Sequence, residues 1–442
     1  MKIPLLEKQE GSLMSSFWLP VLTVGLGFLA KYPFDGAEDV INARNNLISG
    51  VGTDFWGSWS SWFFSVIEVQ HWEFVYAGLF SLFILYGLTK LLVLIRIQEK
   101  RNTIQILMLL LAFESVLFCL SFSRDGALLS FLWLSLGFGI SSLRSRTFYK
   151  QLLAFFSILT LIMAFSFRPW LGVCAPLFLL GFKTYFLRTK IVTKVPSLLM
   201  TVVVLGTSPL LLDQSFHKIL NLKKSYPQQQ VMIMDLSGLA CLSASRDVSD
   251  ISLNALRILS NQTNITKEIL CGQFYPQNWG SVVFYGHRPD QAPALRMIPV
   301  ESEIQYREFK EAWKKITANN VQAYLQLKFI LGSQFLFAGD SISFQLNSFR
   351  DFLNLPLAIG KFLRLFSAFP ICLLLIFWII RKSRRQESRY SAAIVLLSYF
   401  LFLVLSVIAF VGDNQRYILS GSIVVYLFIL IQYSQETAKN EL

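Results

Sequence analysis

Residues 74 to 101 read FVYAGLFSLFILYGLTKLLVLIRIQEKR. A helix needs about 20 residues to cross the hydrocarbon core of a bilayer, and the apolar run from Phe74 to Ile97 is long enough. Arg96, Lys100 and Arg101 then close the run with basic charge. The pattern recurs along the chain. Apolar runs lie at Leu13–Ala30, Phe74–Ile97, Ile104–Phe122, Gly126–Ser142, Gln151–Phe167, Trp170–Phe186, Pro196–Leu212, Phe362–Ile380, Ser391–Val411 and Tyr417–Tyr433. The expected fold class is a polytopic α-helical membrane protein with about ten transmembrane helices. Two pairs of runs are split only by Arg124-Asp125 and by Arg168-Pro169, so each pair reads either as two spans or as a re-entrant hairpin.

Composition agrees with this reading. The chain has 442 residues, of which 54% are hydrophobic and only 15% charged, and its mean hydropathy is +0.51. The charges fall mostly between the runs, as expected when a charge at the bilayer centre costs roughly 2.5–3.5 kcal/mol. The net charge of +13 does not point to nucleic acid, because the basic residues sit in short clusters beside apolar runs. Lys2 and Lys8 precede the first run, and Arg144, Arg146 and Lys150 follow the fourth. Lys183, Arg188, Lys190 and Lys194 follow the sixth, and Arg381, Lys382, Arg384, Arg385 and Arg389 follow the eighth. Every second connection is basic, which places both termini in the cytoplasm. The first run lacks a small-residue cleavage site and reads as a retained span. The expected location is a bacterial plasma (inner) membrane, crossed many times.

The remaining connections, residues 31–73, 123–125, 168–169, 213–361 and 412–416, then lie outside. The chain divides into an N-terminal membrane module (1–212), an extracytoplasmic domain (213–361) and C-terminal membrane helices (362–442). The extracytoplasmic domain mixes β-like runs, Val231–Met234 and Ser281–Tyr285, with a helical stretch from Glu301 to Phe335. In that stretch Phe309, Trp313, Ile316 and Val321 form an apolar face. A small mixed α/β cap is expected. Cys241 and Cys271 lie in this domain, where oxidising surroundings would let them pair. Cys119, Cys174 and Cys372 lie in apolar runs and read as small core residues. Asn261-Gln262-Thr263 and Asn264-Ile265-Thr266 match glycosylation acceptors, which matter only in a eukaryotic secretory pathway.

The chain carries no phosphate-cradling loop, dinucleotide fingerprint or nucleophile elbow. His71, His217 and His287 lack metal-ligand spacing. The chemistry-bearing residues gather in the outer connections. Asp35 with Glu38 resembles a capping box that opens a helix. Asp35 and Asp39 would share one helical face. Two carboxylates against apolar walls suit a general base raised by desolvation and like charge. The alternative role for Asp35 is an N-cap. From Asp54 to Phe64 the sequence is rich in aromatics, which reads first as an interfacial belt. Arg124 beside Asp125, Arg168 before Pro169, and Arg416 near Asp413 put an arginine at three outer span ends. Singly each reads as a surface ion pair or a snorkelling side chain; together, because arginine grips phosphate bidentately, they suit a lipid-phosphate head group.

In this order the motifs resemble the GT-C superfamily of membrane glycosyltransferases, and more narrowly its bacterial dolichyl-phosphate-mannose mannosyltransferase-like members. Asp35 to Asp39 resembles the acidic pattern of their first outer loop. Asp54-Phe55-Trp56 is similar to their Asp-Trp-His-Pro-like stretch but lacks the His-Pro. Ser123-Arg124-Asp125, Phe167-Arg168-Pro169 and Asp413-Asn414-Gln415-Arg416-Tyr417 resemble their span openings. Met234-Asp235-Leu236-Ser237-Gly238-Leu239 and Tyr324-Leu325 with Lys328-Phe329 resemble segments of their outer domain. The resemblance implies inverting transfer of a sugar from a polyprenyl-phosphate-linked donor to a glycan, lipid or protein acceptor. An outer-loop aspartate (Asp35 or Asp39) would serve as base, with Arg124, Arg168 and Arg416 at the lipid phosphate. Glu38, Asp54, Asp235 and Tyr324 would be further site residues toward the acceptor, with a strand end or turn as the alternative role for Asp235. Membrane lipids would be partners and nucleic acid would not. No cofactor is implied, and a divalent metal remains open. Two other classes stay in view. One is a polysaccharide polymerase or ligase with a lipid diphosphate donor, and the other is a lipid or polysaccharide transporter, for which Glu114 is the acidic group within a span.

Overall fold

The computed structural model describes residues 13–31, 38–50, 57–67, 71–95, 101–120, 123–145, 147–168, 195–224, 226, 228–260, 266–274, 302–337, 386–409 and 425. Among them are α1 (Leu13–Lys31), α2 (Glu38–Ile48), α3 (Ser58–Ser65), α4 (Trp72–Ile95), α5 (Arg101–Cys119), α6 (Arg124–Arg144), α7 (Thr147–Ser166) and α8 (Val195–Ile219). These are followed by α9 (Gln229–Leu242), α10 (Arg246–Ser260), α11 (Lys267–Gln273), α12 (Glu303–Asn319), α13 (Val321–Phe337) and α14 (Gln386–Ala409). The apolar runs at Trp170–Phe186, Phe362–Ile380 and Tyr417–Tyr433 fall outside the described residues, apart from the buried Val425.

Three described helices are long and apolar enough to cross a membrane: Trp72–Val93, Arg124–Ser142 and Phe148–Ser166. Shorter apolar stretches occupy α1 (Trp18–Leu29), α5 (Met108–Cys119) and α14 (Ala392–Val404). At Arg124-Asp125 the described chain separates two helices. α5 ends at Cys119, and Ser123 caps α6, its side chain accepting from the Gly126 N–H at 3.0 Å. α6 has 21 residues, so it is about 30 Å long, the thickness of a bilayer core.

One core joins α1 through α7 and α14. Its centre is Phe80, Ile84, Leu88, Trp133, Phe165 and Tyr399, all buried. α6 packs on α4 and α7, while α1 packs on α4 and α5. Small residues let α4 and α6 approach closely. A Cβ on Gly87 would run into the backbone carbonyl of Trp133, and one on Gly137 would meet the Tyr86 ring at 2.5 Å. Hydroxyls bridge α6 to two other neighbours, α7 and α5. Ser135 donates to the Ser157 carbonyl at 2.7 Å, Ser157 donates back to the Ser135 carbonyl at 2.8 Å, and the Trp133 indole donates to Ser115 at 3.0 Å. Such pairs satisfy polar groups that a hydrocarbon surrounding would leave stranded. α1 and α8 each carry an internal proline, Pro20 and Pro209.

The aromatic stretch departs from the interfacial belt expected of it. α3 turns inward, leaving Trp59 2% exposed and Phe64 0%. Phe63 meets Phe80 of α4, Phe131 of α6 and Phe167 after α7, and Trp59 meets Phe216 of α8 at 5.2 Å between ring centroids. Serines 58, 60, 61 and 65 on α3 are also buried, and their small side chains let the short helix seat among larger neighbours.

α9 to α13 form a second cluster around Ile233, Met234, Leu236, Leu239, Leu256 and Leu327. Here the strand expected at Val231–Met234 needs correction. Among the described residues there is no β-strand, and Val231–Met234 lies within α9. Every α9 residue from Met232 to Ala240 is buried, so the helix has no wet face and leaves no period to read. Ser281–Tyr285 lies outside the described residues. From Ser302 on, the stretch expected to be one helix is two that break at Asn320, whose φ of −127° and ψ of 45° leave the helical region. Cys241 and Cys271 are joined in a disulfide that ties α9 to α11.

Candidate functional site

Charged side chains from separate parts of the chain meet at one end of the bundle, where α6 begins, α7 ends and α8 passes its last turns. Arg168 follows α7 and Asp125 sits in the first turn of α6. Their contact is bidentate: Arg168 Nε donates to Asp125 Oδ1 at 2.8 Å and Nη2 to Oδ2 at 2.7 Å. The side chains are only 5% and 3% exposed. Arg168, read from sequence as a phosphate ligand, thus has its guanidinium fork engaged with a carboxylate. Arg124, the first residue of α6, is half-buried.

Beside them stands a residue absent from the sequence-based site, Asp213. The Trp59 N–H donates to its Oδ1 at 2.9 Å, and the Ser58 N–H donates to the same carboxylate. Gly57 precedes them with φ of 83°, in the left-handed region that favours glycine. This geometry presents successive N–H groups of the α3 start to one anion. The contact caps α3, so Asp213 serves the fold whatever its chemistry. Burial raises its carboxyl above the ordinary value, opposed by the two backbone N–H groups and by the nearby positive potential of Arg124 and His217. His217 lies one helical turn along α8 on the same face. Among the described residues, Ser58 Oγ, Trp59 Nε1 and His217 Nδ1 are buried with no hydrogen-bond partner. Native structures leave few such atoms, and a concentration of them around one raised carboxyl marks a functional candidate.

The other predicted residues fall in three groups. Glu38 and Asp39 open α2, which packs on α3; the helix expected after Asp35 is therefore present. Asp35, Asp54 and Arg416 lie outside the described residues. Asp235 and Tyr324 are brought together, but inside the second cluster. Asp235 is 1% exposed, is 2.7 Å from Lys328 Nζ, and accepts from the Trp313 indole at 3.2 Å and from the Tyr324 hydroxyl. Burial raises the Asp235 carboxyl against the pull of Lys328 and these donors. Burial also raises the Tyr324 phenol, with the Asp235 charge adding to the shift. Among the described residues no three His, Cys, Asp or Glu side chains gather as metal ligands.

No family model matches the chain, and no curated protein or solved structure matches it either. The site therefore rests on its own geometry. Asp213 was missed because it borders an apolar run, where a single carboxylate reads as the edge of a loop. Its spacing of four residues from His217 is the signal that pairs them.

Proposed function

We propose that this chain is a GT-C-like membrane glycosyltransferase. It would move a sugar from a polyprenyl-phosphate-linked donor to a hydroxyl acceptor on the extracytoplasmic side. The observation that carries the reading is the convergence of Asp213, Arg124 and the Asp125–Arg168 pair at one end of the apolar bundle. The alternation of basic connections favours the outer face for that end. The Cys241–Cys271 disulfide supports the same side for the second cluster, because disulfides persist in oxidising compartments. In the proposed full architecture about ten spans carry the site, and Asp35 and Asp39 belong to the first outer loop.

The transfer balances as follows. The acceptor hydroxyl gives its proton to a carboxylate, and its oxygen bonds to the anomeric carbon from the face opposite the phosphate. The bond from that carbon to the phosphate oxygen breaks, and the lipid phosphate leaves with the electron pair. A carboxyl raised by burial is suited to take a proton near neutral pH. When Asp213 takes that proton, a cluster of two aspartates and two arginines becomes net positive. The leaving phosphate gains its extra charge at the same moment, so stabilisation appears where charge develops.

The test is transfer from a lipid-phosphate-linked sugar by purified protein in nanodiscs. Asp213→Asn, Asp35→Asn and Asp39→Asn are compared singly. Loss of at least a hundredfold is expected in one or more of them, with lipid phosphate released one for one with sugar transferred. Full activity in all three removes the proposed base. Activity only with a lipid diphosphate donor points to the polymerase or ligase class.

A further inference from the structure

The second cluster has two unlike surfaces. α10 and α12 are amphipathic in the ordinary way. Arg246, Asp247, Asp250 and Asn254 of α10 are exposed, as are Arg307, Glu308, Glu311, Lys314 and Lys315 of α12. These faces belong in water.

α13 is different. Over residues 321–337 its single charged residue is Lys328, and that residue is turned inward. Lys328 is 11% exposed on its side chain and paired with the buried Asp235. The outward stripe is Val321 (52% exposed), Leu325 (60%) and Phe329 (77%), one helical turn apart in succession, with Leu242 of α9 (43%) beside them. They line an open, mostly apolar groove of about 950 Å³ between α9 and α13. The groove floor is packed tightly, since a Cβ on Gly238 would meet Leu327 at 2.5 Å. A helix that turns its lone charge to a buried partner and shows an uncharged face is built for an apolar surrounding. The surface is also continuous with the membrane module. α13 packs on α14, whose apolar stretch exposes Leu397 (57%) and Phe400 (54%).

We infer that the α13 face, with the groove it shares with α9, seats lipid acyl chains of the outer leaflet. The second cluster is then sunk against the bilayer on this side, with α10 and α12 facing water. The Asp235–Lys328 pair is the device that permits this, because it removes the helix's one charge from the lipid-facing surface. The inference rests on membrane embedding and not on any transfer chemistry.

The experiment uses the full-length protein in nanodiscs of phosphatidylethanolamine and phosphatidylglycerol. Cys119, Cys174 and Cys372 are replaced by Ser, and the disulfide is kept. Single spin labels are placed through Leu325→Cys, Phe329→Cys, Glu308→Cys and Lys315→Cys, all at exposed positions that tolerate a label. Collision rates with oxygen, which concentrates in lipid, and with a water-soluble nickel chelate are compared. At residues 325 and 329 oxygen is expected to exceed the chelate several-fold, and at 308 and 315 the order reverses. Chelate access at 329 equal to that at 308 overturns the inference in favour of a wet groove. Low access to both reagents at 325 and 329 overturns it in favour of protein cover, such as a second copy. Neither readout depends on sugar transfer, so failure here is distinct from failure of the proposed reaction.

Discussion

The Asp125–Arg168 pair invites a double-mutant cycle. Both side chains are out of water, at 3% and 5% exposure, and are joined by two charge-assisted hydrogen bonds of 2.8 and 2.7 Å. Removing one member of such a pair strands the other's charge, which costs about 3–5 kcal/mol. Asp125→Leu or Arg168→Met should each lower stability by that amount, at least a hundredfold in the folding equilibrium, since each 1.4 kcal/mol is roughly tenfold. The double variant removes both charges and should recover most of the loss, because apolar replacement of a buried pair is often close to neutral. Unfolding in mixed micelles with rising denaturant, followed by tryptophan fluorescence, supplies the four stabilities. Single variants within about 1 kcal/mol of the parent would match an exposed pair and refute the reasoning. So would a double variant as unstable as the sum of the singles. If Arg168 also meets the donor phosphate, the double variant regains stability without regaining transfer.

Gly87→Ala should destabilise by about 1–3 kcal/mol through overpacking on Trp133. Gly78→Ala, with nothing among the described residues within 4 Å of the new Cβ, should be neutral or slightly favourable by helix propensity; equal thermal midpoints for the two would refute the close α4–α6 approach. Alkylation of denatured, unreduced protein should leave the Cys241 and Cys271 peptides joined. Cys271→Ser should cost about 3–4 kcal/mol by loop-closure entropy for residues 30 apart, and two alkylated thiols would contradict the bridge. Asp213 binds its proton more tightly in the fold than in the unfolded chain. Its contribution to stability is therefore largest below the unfolded carboxyl value and is lost as pH rises through the raised folded one. The base form appears over that same rise, so the acid limb of kcat/KM should lie above the usual carboxylate value near ~4, and Asp213→Asn should abolish that limb.

The helices that cross the bundle were readable because apolar length is a direct consequence of bilayer thickness. Phe74–Ile97, Gly126–Ser142 and Gln151–Phe167 each correspond to a described helix within a few residues. α9 was not readable, because burial on all sides erases the difference between a strand and a helix at Val231–Met234. The aromatic run at α3 was misplaced for a related reason. Tryptophan and phenylalanine satisfy an interface and a core equally well, and only the buried serines between them favour the core. Arg124 and Arg168 stood out in the sequence, with Arg416, because arginines oppose the charge bias expected of outer connections. The pairing of Arg168 with Asp125 did not, because the two are brought together by α6–α7 packing. Asp213 depends on a contact with Trp59 across 154 positions, which no local pattern announces.

The close approach at Gly87 and the reciprocal Ser135–Ser157 bonds have a mechanical consequence. α4, α6 and α7 are clamped by backbone proximity and paired hydroxyls, and such contacts resist sliding. The end of the bundle that holds Asp125 and Arg168 therefore behaves as a fixed anvil. A bulky guest entering there must be accommodated by the helices that surround the clamp. α1 and α8 each lack one internal hydrogen bond at a proline, Pro20 and Pro209. Pro209 lies one turn before Asp213, so flexure at that point would swing the carboxylate, and the start of α3 bonded to it, relative to the stationary arginines.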